Sequence, residues 1–129
     1  MPTWHELHQH VRSKFTLATD DEDWFKLVWS YAEGRSQQIT VSRFEFLDQE
    51  WIEFRSYVCK ETEMALRVAL RKNEEFPLGA LALDSDGDYL LIHKARLADL
   101  DPDEFEMPLT MLASIADDLE KQFTAKDDY

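Results

Sequence analysis

The sequence predicts an α+β fold, a twisted antiparallel sheet with helices packed against it in the order α-βββ-α-ββ-α. Three observations carry this. Apolar residues recur at helical spacing in three separate stretches, and the segments between them are dense in aromatic and β-branched residues. Neighbouring strand segments are separated by only a few turn-forming residues, which makes them antiparallel. With 129 residues, 44% of them hydrophobic, the chain suits a single domain, residues 1–129, ordered over about 3–123.

The first element is a short helix, because Trp4, Leu7, Val11 and Phe15 fall on one side of residues 3–15. Asp20, Asp21, Glu22 and Asp23 interrupt the pattern. Strands follow over Trp24–Tyr31, Gln38–Leu47 and Trp51–Cys59, joined by Glu33-Gly34-Arg35-Ser36 and by Asp48-Gln49-Glu50. Helical period returns over Glu61–Glu75, where Met64, Ala65, Leu66, Val68, Ala69 and Leu70 make an apolar stripe wider than one sheet contact buries. Pro77 and Gly79 stop this helix. A second hairpin, Leu78–Leu83 and Tyr89–Lys94, turns at Asp84-Ser85-Asp86-Gly87-Asp88, where Gly87 tolerates positive φ and the aspartates accept from nearby amides.

The last helix opens with Asp101 as cap, Pro102 in the first helical position and Glu104 reaching back to the cap amide. Phe105, Leu109, Leu112, Ala116, Leu119 and Phe123 then form one apolar line. Pro108 predicts a kink or a restart, since an interior proline costs about 3 kcal/mol. From Thr124 onward the tail is expected to fray.

Several groups approach a chemical motif and miss it. His5, His8 and His10 lack the i, i+4 pair of a zinc-protease helix, because the position four residues after His5 is Gln9, and no third ligand stands nearby in the sequence. Asp84, Asp86 and Asp88 begin like a calcium loop, but Tyr89 and Ala95 occupy the positions that need Gly and a bidentate Glu. Cys59 and His93 have no third residue to orient them as nucleophile and base. The Gly-rich phosphate loops and the G-x-S-x-G elbow do not occur. No catalytic residue, cofactor or metal site is therefore expected, and chelation is expected to change little. The alternative from another class is a small hydrolase or metal-dependent enzyme.

The 27 acidic and 14 basic side chains give a formal charge of -13, which disfavours nucleic acid and anionic membrane as partners. The lone Cys59 permits no internal disulfide, and no apolar run approaches 18 residues, so a cytoplasmic protein is expected. In the strand from Trp51, Ile52, Phe54 and Val58 share one face, while Trp51, Tyr57 and Cys59 flank Glu53 and Arg55 on the other. Two partly apolar faces require either helices on both sides or a partner. The candidate partner-binding residues are Phe44, Trp51 and Tyr57 on the sheet, with Leu7 and Val11 on the first helix. The surrounding negative charge favours a basic partner. The broad stripe over Glu61–Glu75 points to a homodimer.

The element order resembles that of the type III secretion chaperones and of the related YbjN-like bacterial proteins. Phe76-Pro77-Leu78-Gly79-Ala80-Leu81-Ala82-Leu83, the Asp-Gly turn, Tyr89-Leu90-Leu91-Ile92-His93, Leu100-Asp101-Pro102 and the acidic helix after it are similar to the C-terminal half of YbjN-like sequences. The resemblance implies a non-enzymatic homodimer that holds a partly unfolded client polypeptide in apolar grooves and in some cases adds a client strand to its sheet. A YbjN-like regulatory factor without a secretion client is the alternative among binding proteins. Pro108 departs from the uninterrupted last helix of the chaperones.

Overall fold

Thr3 starts the first helix, its hydroxyl oxygen accepting from the Glu6 amide at 3.1 Å, an N-cap bond. The computed structural model describes residues 2–31 and 34–124; Glu33 of the first expected loop and the expected fraying beyond Thr124 lie outside the described residues. Helix α1 (Trp4–Lys14) buries Trp4, Leu7, His8 and Val11 on one side. Six strands follow: β1 (Thr19–Asp20), β2 (Trp24–Ser30), β3 (Ser36–Phe46), β4 (Gln49–Lys60), β5 (Ala80–Leu83) and β6 (Asp88–Arg96). Helix α2 (Leu66–Glu75) lies between β4 and β5, and α3 (Pro102–Phe123) follows β6. The sheet order is β1-β2-β3-β4-β6-β5, antiparallel throughout.

The sequence reading differs from this arrangement at several points. The acidic interruption contains β1, whose Asp20 carboxylate is held by Arg12 at 2.8 and 3.0 Å and by His8 Nε2 at 2.7 Å. Those contacts join α1 to the sheet edge and offset the poor strand propensity of aspartate. The β3–β4 turn is Leu47-Asp48, at φ 51° and 61°, rather than Asp48–Glu50. Two successive positive φ values match the twist of a tight hairpin. Residues 61–63 form a short 3-10 turn, fixed by the Lys60 amide donating to Glu63 Oε1 at 2.9 Å, so α2 begins only at Leu66.

The turn after β5 is as expected, with Gly87 at φ 81° and Asp84 Oδ1 accepting from the Asp86 and Asp88 amides at 3.0 and 2.9 Å. Helix α3 runs through Pro108 without a restart. The missing amide affects only the carbonyl of Glu104, on an exposed residue in the first turn, where water can satisfy it. Asp101 caps through its backbone carbonyl, which accepts from Glu104 and Phe105, and not through its side chain.

The core lies on one face of the sheet, where Phe25, Leu27, Ile39, Val41, Ile52, Phe54 and Leu91 meet Phe105, Leu109, Leu112 and Ala116 of α3. Phe105 stands 5.2 Å from Phe54 and 6.3 Å from Phe25 between ring centroids. A bulge between Tyr57 and Cys59 rotates Cys59 into this core, away from the face it would share with Trp51 and Tyr57 by simple alternation. Burial pushes the Cys59 thiol up to about 11, which leaves it inert at neutral pH.

Leu47 is 81% exposed, so its side chain gains little while its backbone carries the left-handed strain. Leu47→Asn is expected to raise stability by roughly 0.5–1 kcal/mol, seen as a higher urea midpoint at unchanged slope. A lower midpoint would mean that the exposed leucine holds the hairpin tip more strongly than the strain opposes it.

Candidate protein-binding surface

Because the helical core occupies one face of the sheet, the register places a distinct set of side chains on the other. Across β3, β4 and β6 the rows are Phe44, Trp51 and Arg96; Ser42, Glu53 and Lys94; and Thr40, Arg55 and Ile92, with Tyr57 opposite Leu90 across β4 and β6. Phe44 and Trp51 stack at 6.4 Å and 20°, and Lys94 Nζ lies 5.8 Å from the Phe44 centroid. The Trp51 Nε1 atom is shielded from solvent and has no acceptor among the described residues. Tyr57 hydrogen-bonds the Asp84 carboxylate, and its phenol is pushed up, first by burial and then by that carboxylate.

Phe44, Trp51 and Tyr57 therefore share one half-buried face. Leu7 and Val11 do not join them. They are 1% and 0% exposed in the core beneath α1, so their expected partner-binding role is corrected to a packing role. A helix period shows that such residues share a side but not which surface that side meets. Lys26, Arg55, Lys94 and Arg96 stand on this surface, Arg55 paired with Glu53 at 2.9 Å, Arg96 with Asp99 at 2.9 Å, and the Asp84 carboxylate beside Tyr57, in a chain of net charge -13.

Two further features border the sheet. Beyond Lys26 no strand pairs with the outer edge of β2 among the described residues, which leaves the backbone of 28–30 beside a cleft of about 350 Å³ lined by Phe15, Leu27, Val28 and Trp29. At the opposite edge Asn73 of α2 covers β5, accepting from the Leu81 amide at 2.6 Å. The outward side of α2 exposes Leu66 at 63% and Leu70 at 71%.

The near-motifs separate in space. His8 is buried, stacked on Phe25 and bonded to Asp20, and so acts as a structural histidine. The Asp84 carboxyl is held low, chiefly by the Asp88 amide, and serves the turn. Cys59 and His93 face Tyr89 and Phe54 in register, five residues apart along β4, which is about 16 Å and too far for a dyad. One grouping had no signal in the sequence: His10 meets Asp103 and Glu106, from the start of α3, with donor atoms within 4.8 Å of one another.

No protein-family model and no curated protein sequence matches the chain. Solved structures do match. A chain of the HopA1–SchA chaperone–effector complex aligns with a TM-score of 0.66 at 14% identity, covering 89% of this chain and 90% of that one. A chain of the ExsC–ExsE complex gives 0.63 at 16% identity, with 95% and 97% covered. The structure of the Yersinia pestis type III secretion chaperone SycH with a stable fragment of YscM2 gives 0.60 at 18% identity, with 88% and 95% covered. The chain thus has the α+β fold of the type III secretion chaperones, as its element order implied. Among the described residues no helix is long and apolar enough to cross a membrane.

His93 lines a largely apolar groove of about 420 Å³ with Leu78, Leu100, Met107 and Pro108. Burial there lowers its pKa below the ordinary 6.5. As pH falls through 6.5, the unfolded chain takes up this proton before the folded one, so stability is lost until the folded pKa is passed. The urea midpoint is expected to fall between pH 7 and pH 5.5, and to fall less in His93→Leu. An unchanged slope in that variant would assign the pH dependence to other groups.

Proposed function

We propose that this protein is a non-enzymatic, chaperone-like binding protein that acts in the cytoplasm as a homodimer and holds a partly unfolded segment of another polypeptide. The observation that carries this reading is the sheet face left without a helix, with the stacked Phe44 and Trp51, Tyr57 and the cationic residues between them. Aromatic side chains give large contact area at low entropic cost. The free edge at residues 28–30 provides backbone groups for an added client strand, and the cleft beside it a place for that strand's side chains. The fold shared with chains from chaperone–effector complexes supports the same reading.

The client site is tested with a photo-crosslinking residue at position 44 and a display library of extended peptides. Trp51→Ala is expected to weaken selected peptides by about 30-fold, the effect of losing a contact worth 2 kcal/mol, with the fold retained. Unfolding of the variant, or selection of no peptide by the wild type, would overturn the reading.

The exposed Leu66 and Leu70 on α2, next to β5, are the surface proposed for self-association. Light scattering is expected to give the mass of two chains at micromolar concentration, and Leu66→Glu with Leu70→Glu the mass of one. A wild type that stays at one chain as concentration rises would remove the dimer from the proposal.

A further inference from the structure

The fold brings His10 two candidate metal partners from the far end of the sequence. The first turns of α3 place Asp103 and Glu106 against α1, so that an imidazole nitrogen and two carboxylate oxygens lie within 4.8 Å of one another. His10 Nε2 is shut off from solvent without a hydrogen-bond partner among the described residues, and Glu106 Oε1 stands 4.0 Å away. Glu106 is divided between two tasks. Its Oε2 accepts from Lys14 Nζ at 2.8 Å, which leaves Oε1 on the side of His10.

We infer that His10, Asp103 and Glu106 form a binding site for one divalent transition-metal ion, with Zn²⁺ the best fit. The donor set decides the class. Mg²⁺ and Ca²⁺ select oxygen ligands, whereas Zn²⁺ accepts one imidazole and two carboxylates and leaves a fourth position for water. Zinc–ligand distances of about 2.0–2.2 Å put tetrahedral donors about 3.3 Å apart, so the His10–Glu106 pair at 4.0 Å closes by less than about 1 Å and donors up to 4.8 Å apart by about 1.5 Å.

The excess of acidic groups at the start of α3, Asp103, Glu104 and Glu106, adds an attractive field for a cation and outweighs the single charge of Lys14. The other two histidines of α1 do not compete. His8 is engaged by Asp20, and His5 is exposed. A bound ion would join α1 to α3 at the end of the core opposite Arg35, independently of whether the protein holds a client.

The test is calorimetric titration of the full chain with zinc chloride at pH 7.5 in a non-chelating buffer. One equivalent is expected to bind with a dissociation constant of about 10 µM or tighter, and to raise the melting temperature. His10→Ala and Asp103→Asn are each expected to weaken binding at least about 10-fold, and His5→Ala to leave it unchanged. Metal-free melting curves of all three variants keep a lost site distinct from a lost fold, and Glu106→Gln provides a third ligand deletion. Wild-type binding weaker than about 1 mM, or equal binding by His10→Ala and Asp103→Asn, would overturn the site.

Discussion

Three phenylalanines, Phe25, Phe54 and Phe105, meet where α3 crosses the sheet, and this contact determines what every other surface can do. Each buried phenylalanine contributes about 1.5–3 kcal/mol of transfer free energy, and the three share one apolar volume with Trp4 and His8 stacked at its edge. Because α1 and α3 are spent on this face, neither is left to cover the opposite one. The aromatic residues of the outer rows remain half-exposed for that reason.

At the other end of α3 the packing becomes polar. Arg35 reaches Asp117 at 3.1 Å and Glu120 at 3.0 Å, and Glu120 is fully buried. Gln37 Nε2 bridges Ser56 Oγ and the Tyr57 carbonyl within the sheet, while burial near Asp117 pushes the Tyr31 phenol up to about 12. Such pairs gain little over an apolar core, but loss of one partner leaves a buried charge uncompensated. The Arg35 pairs hold the start of β3 against the end of α3.

Elements with local causes were legible in the sequence. Helix α1, the Asp-Gly turn and Pro102 at the start of α3 follow from spacing, from Gly87 and from the first-position preference of proline. Elements with distant causes were not. β1 depends on Arg12 and His8 reaching Asp20, and the inward turn of Cys59 on a bulge that alternation does not reveal. For the candidate surface, Phe44, Trp51 and Tyr57 share a face because strand period is strict. Leu7 and Val11 were misplaced because amphipathic spacing marks a buried stripe and a binding stripe alike. The meeting of His10 with Glu106 spans 96 positions and left no trace in either local pattern.

The free face also has to remain monodisperse without a partner, and the placement of charge accounts for how it can. Arg55 and Glu53 pair with each other at 2.9 Å between the aromatic rows, and Lys94 Nζ lies over the Phe44 ring at 5.8 Å. Each aromatic residue is thus bordered by ionised groups that must keep their water or find charged partners. A second sheet with an apolar face could not dock here without burying those ions, which costs more than the aromatic contact returns. A single extended chain can, because it covers one aromatic row and leaves the neighbouring guanidinium and ammonium groups hydrated. On the proposed function, the same interleaving that keeps the surface from stacking on itself favours a narrow, chain-like occupant over a broad one.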